Sequence, residues 1–340
     1  MFLPLLLLAA APEAPLRVND ISVVGTHNSY KQPMPAEVME ALRRRDPDAA
    51  DSLDYAHRTL TEQLDHGARR LEIDVNYDPE GGYYARPGQD SPDLDVPGFK
   101  VLHIPGIDNA SHCLRLVQCL REIRAWSDAH PRHVPILLMF NAKESANAAL
   151  GRSELRFDGA AFDALDAEIR SILPPEKMIT PDSVQGAFPT LREAVRADNW
   201  PTLDAARGRF LFALDEGPEK VALYRGNRMS LEGRVFFINT DAASPAAAYM
   251  TINDPIADAA KIREAVKAGF IVRTRADADT REARANDTRR LAAALASGAQ
   301  FISTDYLWAD PRFPDYNARL PHAKIVRCTP MGRGDCQIVE

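Results

Sequence analysis

Arg70-Leu71-Glu72-Ile73-Asp74-Val75 is the stretch on which the fold turns. Successive side chains of a strand point to opposite faces, so Leu71, Ile73 and Val75 take one face while Glu72 and Asp74 share the other, about 7 Å apart. Outward from it, short apolar or β-branched runs recur at 21–25, 99–104, 135–140, 209–214, 235–238, 270–274 and 301–304, giving eight candidate strands with 70–75. Helical patterns at 114–129, 154–173, 257–268 and 280–296 separate most of them. Strands alternating with helices imply parallel pairing through crossover helices, and eight such units predict a closed (β/α)8 TIM barrel. The barrel is expected to be irregular, because 76–98 is rich in Gly, Pro and Asp without a helical period, so that its second helix is missing or replaced.

Composition bounds the partners. The 340 residues contain no Gly/Ser linker, low-complexity run or internal repeat, and barrels of this class run past 250 residues as one unit, so a single domain over 15–340 is expected. A net charge of −7 and a pI near 5.7 exclude a nucleic-acid binder and strong docking on anionic membranes, leaving local positive charge to handle any phosphate. The leading Met1-Phe2-Leu3-Pro4-Leu5-Leu6-Leu7-Leu8, followed by Ala9-Ala10-Ala11, reads as a signal peptide over 1–14 that lacks a basic start. No other stretch approaches the roughly 20 apolar residues of a membrane span. Secretion or a periplasmic location is the expectation, and a monomer. The four cysteines form two close pairs, Cys113 with Cys119 and Cys328 with Cys336, which favours two local disulfides. The alternative is buried thiols with a metal-binding pair, although neither spacing matches Cys-x-x-Cys.

Functional groups of such a barrel collect at the carboxyl ends of the strands. The ends here carry His27 and Asn28, Glu72 and Asp74, His103, Asn141 and Lys143, Asp215 and Glu216, Arg273 and Arg275, and Asp305. Two acids facing the mouth need a cation. Oxygen-only ligands, with the Asn28 amide, favour Ca²⁺ or Mg²⁺ over zinc, and a neighbouring arginine such as Arg69 or Arg275 is the alternative partner. Lone histidines beside apolar runs are more often structural, the reading given to His57, His66, His112, His130, His133 and His322. His27 and His103 differ in ending strands: one neutral and one protonated imidazole can take a proton from a nucleophile and give one to a leaving oxygen. A metal beside them would stabilise phosphoryl charge. These parts suit cleavage of a phosphodiester. Lys143, Arg273 and Arg275 serve either as phosphate ligands or as barrel counterions, and Asp305 either orients a histidine or caps the next loop. Trp126, in a predicted helix, is assigned to the core.

Gly25-Thr26-His27-Asn28-Ser29-Tyr30, Leu71-Glu72-Ile73-Asp74-Val75, the stretch from His103 through Cys113, Cys119 and Trp126-Ser127-Asp128-Ala129-His130-Pro131 to Pro135, and the late Arg273-Thr274-Arg275-Ala276-Asp277, Ser297-Gly298-Ala299-Gln300 and Ser303-Thr304-Asp305-Tyr306 together resemble the secreted, calcium-dependent phosphatidylinositol-specific phospholipase C family. The resemblance spans roughly 21–336. It implies a distorted TIM barrel that cuts phosphatidylinositol between the glycerol oxygen and phosphorus. The inositol 2-hydroxyl attacks, diacylglycerol leaves, and a cyclic inositol phosphate forms that is open to hydrolysis to inositol 1-phosphate.

Carried over by motif, His27 and His103 are the acid/base pair, and Asn28, Glu72 and Asp74 are Ca²⁺ ligands. Lys143 and Arg275 are the expected phosphate ligands, and the partner is a phosphoinositide or other phosphodiester met by transient membrane contact. One departure stands out: where the family places Glu-x-Lys, this chain has Asn141-Ala142-Lys143. Asn141 keeps an oxygen donor as a fourth ligand but loses the charge, which should weaken Ca²⁺ binding. Glu144 falls on the opposite strand face. The rival readings are a glycerophosphodiester phosphodiesterase, whose family typically opens with His-Arg-Gly where this chain has His27-Asn28-Ser29, and a non-catalytic phosphoinositide- or sugar-binding barrel.

Overall fold

The computed structural model describes residues 14–85, 91–144, 151, 153, 155–331, 336 and 338–340. The expected signal peptide lies, but for Ala14, outside the described residues. The strands are β1 (Ile21–Thr26), β2 (Arg70–Asn76), β3 (Ile136–Lys143), β4 (Met178–Ile179), β5 (Phe210–Leu214), β6 (Phe237–Ile238), β7 (Tyr249–Thr251), β8 (Ile271–Arg275), β9 (Phe301–Thr304) and β10 (Val326–Cys328). Parallel pairing runs β5-β3-β2-β1-β9-β8-β7, and β6 pairs with β5. A parallel bridge from Asn239 to Tyr249 joins β6 to β7 and completes a ring of eight strands. This is the expected irregular (β/α)8 barrel. β4 adds two residues beside β5, and β10 runs antiparallel on β1.

Every residue of β1 and β2 is buried, including Arg70, Glu72 and Asp74 on the inner face of β2, as strands enclosed on both faces must be. Gly25 allows β1 and β2 to meet: a Cβ there would lie 1.8 Å from the Arg70 carbonyl oxygen.

Two strand assignments change. The run at 99–104 is not a barrel strand. Val101 bonds to the Leu114 carbonyl and Leu116 to that of Phe99, while Lys100 bridges singly to Asn76 and Arg115. The segment is part of the excursion from β2 to the helix Leu116–Ala129 and buries Phe99 and Val101 in the core. Its place in the ring is taken by β7, whose three residues are too few to show a period. As expected, 76–98 supplies no α-helix among its described residues, only the 3₁₀ turn Pro92–Leu94.

The helices Gly159–Ile172 and Ala259–Lys267 fall within their predicted spans, but 280–296 is broken into Arg281–Ala285 and Arg289–Ala296 at Asn286, which takes φ 49°. Trp126 is buried, as expected, with its indole N–H on Asp65. Both local disulfides are present, Cys113–Cys119 and Cys328–Cys336. Among the described residues no helix is long and apolar enough to cross a membrane.

Candidate active site

The first loop starts where β1 ends. His27 N–H donates to the Thr304 carbonyl, Ser29 N–H to that of Glu72 and Lys31 N–H to that of Asn28, while Asn28 turns the chain at φ 48°. Asn is among the few residues that adopt this conformation readily. The turn is thus bonded to β2 and β9, its two neighbours in the ring, and projects His27 into the mouth. His27 Nδ1 lies 2.7 Å from Asp305 Oδ1, so Asp305 orients a histidine. The Tyr55 hydroxyl is 3.2 Å from the same nitrogen, and Nε2 is 3.6 Å from Glu72 Oε1. His57, read as structural, holds the turn from outside, its Nε2 2.7 Å from the His27 carbonyl oxygen. Burial and then Arg275 hold His27 well below its usual pKa, and burial raises Asp305.

Glu72 and Asp74 do share the inner face of β2. Their cations are not Arg69 or Arg275. Glu72 Oε2 is bound by Arg70, its neighbour on the same face, and by Arg273 at 3.1 Å; Asp74 Oδ2 is bound by Lys143 at 3.0 Å. Arg69 turns away to Glu340 and the Leu64 carbonyl, while Arg275 faces Asp305 Oδ2 at 3.6 Å. Burial pushes the Glu72 carboxyl up, but Arg70, His27 and Arg273 outweigh it and keep it ionised. Burial likewise lowers Lys143, and Asp74 outweighs it.

Register puts Asn141 opposite Asp74, and its Nδ2 donates to Glu72 Oε1 at 3.0 Å and to Asp74 Oδ1 at 3.1 Å. Two carboxylate oxygens therefore converge on one point, and turning the amide over brings a third oxygen to it. The buried Asn28 amide is committed to the Tyr55 hydroxyl through its nitrogen, which leaves its oxygen as the donor. This oxygen chemistry fits Ca²⁺. The charge balance opposes tight binding, since Arg70, Arg273 and Lys143 crowd two carboxylates, and no group of three or more His, Cys, Asp or Glu that could hold a metal occurs among the described residues. Glu144 is no substitute: it accepts from Phe157 N–H and pairs with Lys220 at 3.5 Å.

His103 does not end a strand. It sits on a tight loop in which Ile104 and Asp108 exchange backbone hydrogen bonds of 3.1 and 2.9 Å. Its Nδ1 lies 2.9 Å from Asp108 Oδ2. Backbone hydrogen bonds from His112 to Tyr30 and from Gln32 to Ala110 pin this loop to the His27 loop. The remaining strand-end acids line a cavity of about 430 Å³ with Asn141 and Lys143: Asp215 lies 4.0 Å from Arg273, and Glu216 3.2 Å from Lys220. Arg70, Tyr55, Asp108 and Lys31 escaped the sequence reading. Arg70 had a signal, the same strand face as Glu72; the other three are brought in by loops whose path no periodicity encodes.

An eight-stranded parallel barrel whose mouth carries carboxylate-backed histidines and a cation-lined acidic pair belongs to the class of α/β-barrel enzymes. Residues 16–330 match the family described as phosphoinositide phospholipase C, Ca²⁺-dependent, and the chain belongs to that family. Among solved structures it is similar to the calcium-dependent phosphoinositol-specific phospholipase C of Pseudomonas sp, at 19% identity and TM-score 0.57 over 92% of this chain and 96% of that one. It is also similar to the Ca²⁺-dependent phosphatidylinositol-specific phospholipase C of Streptomyces antibioticus, at 21% identity and TM-score 0.56 over 85% and 95%. These likenesses bear out the barrel. No curated protein matches the chain.

Proposed function

We propose that the protein cleaves phosphatidylinositol between the glycerol oxygen and phosphorus, with His27 and His103 as the acid/base pair. Family membership makes it a phosphoinositide phospholipase C. The observation that supports the residue assignment is that each ring is tied through Nδ1 to a buried carboxylate, His27 to Asp305 and His103 to Asp108, on loops bonded to each other. A carboxylate on Nδ1 fixes the tautomer and leaves Nε2 to exchange a proton with substrate.

One imidazole takes the proton of the inositol 2-hydroxyl as its oxygen bonds to phosphorus. The bond from phosphorus to the glycerol oxygen breaks, the other ring protonates that oxygen, and diacylglycerol and a five-membered cyclic phosphate result. Water attacking by the reverse proton path opens the cycle to inositol 1-phosphate. Lys143 and Arg275, both partly exposed at the mouth, are the cations for the phosphate oxygens. Arg70 and Arg273, buried behind them, add positive potential.

Asn28, Glu72, Asp74 and Asn141 are the residues that would hold Ca²⁺. Bound there, Ca²⁺ supplies charge stabilisation for the phosphoryl oxygens and lowers the pKa of the attacking hydroxyl. A secreted or periplasmic monomer, made with a leader over 1–14 and touching the membrane transiently, completes the reading. Two disulfides support the oxidising compartment.

Product release from intact phosphatidylinositol and from glycerophosphoinositol tests this against the glycerophosphodiesterase alternative. Diacylglycerol from the lipid is the expected result. Glycerol release from the deacylated diester, with the lipid untouched, would contradict it.

A further inference from the structure

Lys31 closes Thr26-His27-Asn28-Ser29-Tyr30-Lys31, and the reaction above makes no use of it. Its side chain is fully buried, which is costly for a cation unless it is paired. The ammonium lies 2.7 Å from Asp108 Oδ2, the same oxygen that lies 2.9 Å from His103 Nδ1. The Asp108 side chain is also fully buried. The two loops thus bring an ammonium and an imidazole onto one oxygen of a buried carboxylate.

Asp108 therefore faces one partner whose charge is constant and one whose charge must change. Other titratable groups near it are the Tyr30 hydroxyl with, beyond that hydroxyl, Asp74 at the end of β2, and the Tyr55 ring, whose centroid lies 5.4 Å from the Lys31 ammonium; none of them is a cation. Burial pushes the Asp108 carboxyl up, and the His103 hydrogen bond and Lys31 outweigh it, so the carboxylate stays ionised. With Lys31 present, its charge is compensated in either state of His103. Without Lys31, the one remaining ion-pair partner among the described residues is His103, and a buried carboxylate with no other cation holds its imidazole protonated.

We propose that Lys31 is a positioning residue: it supplies the counter-charge of Asp108, so that Asp108 orients His103 without fixing its proton. The proposal rests on the assignment of His103 to the acid/base pair.

Lys31→Met, Asp108→Asn and the double variant test it, with kcat and KM on phosphatidylinositol and the ring ¹⁵N spectrum of His103. Lys31→Met is expected to lose about 10- to 100-fold in kcat with KM within about threefold. The double variant should match Asp108→Asn alone, because with the carboxylate gone Lys31 has nothing to compensate. At one and the same pH the His103 ring ¹⁵N shifts should move toward the doubly protonated form in Lys31→Met and return to the wild-type position in the double variant.

Wild-type-like kcat in Lys31→Met, losses that multiply in the double variant, or an unchanged ring state would each overturn the proposal. If Lys31→Met does not fold, the comparison of the double variant with Asp108→Asn decides, and a double variant that fails to fold also counts against it. Absence of lipid cleavage by the wild type would refute the functional reading instead, and the ring spectra would still decide the role of Lys31.

Discussion

His27 and His103 reach the mouth by different routes, one from the end of β1 and the other from an irregular loop, yet each is backed by a buried carboxylate. If they share proton transfer, His27→Ala and His103→Ala should each lower kcat by about 10² to 10⁴ while the circular dichroism spectrum and melting temperature stay close to wild type. Turnover near wild type in either variant would remove that residue from the mechanism. Asn141 is the other residue that sets this chain apart. Its amide nitrogen now bridges Glu72 and Asp74. A third carboxylate there is tolerable only with a cation between the three, so Asn141→Glu should tighten Ca²⁺ binding by about 1 to 3 kcal/mol in calorimetric titration. Equal or weaker affinity in a folded sample would show that position 141 lies off the metal.

Among the elements, the joint between the helix Leu116–Ala129 and β3 depends on His133. The Ser127 hydroxyl lies 2.8 Å from its Nε2, and its Nδ1–H donates to the Val134 carbonyl. Burial lowers its pKa to about 4. The folded protein keeps the ring neutral, whereas the unfolded chain takes up a proton below about 6.5, so between those values the unfolded state binds more protons and stability falls as pH falls. The full effect is at most about 3 kcal/mol and levels off below pH 4. Urea unfolding at a series of pH values should show this slope, partly abolished in His133→Gln; His57, also lowered to about 4, and His27 contribute to what remains. An identical slope in the variant would mean that His133 is protonated in the folded state.

Across the whole molecule, the barrel was readable because its strands carry apolar or β-branched runs, continuous in β3 and β5 and alternating with polar residues in β2: β1, β2, β3, β5, β8 and β9 announce themselves. β7 does not, having only three residues, and 99–104 looks like a strand because Phe99 and Val101 are buried, although they join the main core from a loop, Phe99 against Tyr77 and Phe157. The site divides the same way. His27, Glu72, Asp74, Lys143 and Asp305 follow from strand ends, whereas Asp108, Lys31 and Tyr55 depend on where loops meet.

The cysteines were legible from spacing, and the second pair anchors β10, which bonds to β1 at Ile21, Ser22 and Val23, far from the mouth. Replacing Cys328 and Cys336 by Ser should therefore cost about 2 to 3 kcal/mol of stability and leave kcat unchanged in the folded enzyme. A loss of turnover with stability intact would mean that the tail reaches the site.

The central claim, that this barrel cleaves phosphatidylinositol through attack by its own inositol hydroxyl, is tested most directly by ³¹P NMR of the lipid incubated with the enzyme, with and without a calcium chelator. The account predicts a five-membered cyclic phosphodiester resonance that appears before any inositol 1-phosphate and is suppressed by chelation. Formation of inositol 1-phosphate with no cyclic species at any time, or no change in the lipid phosphorus at all, would contradict it.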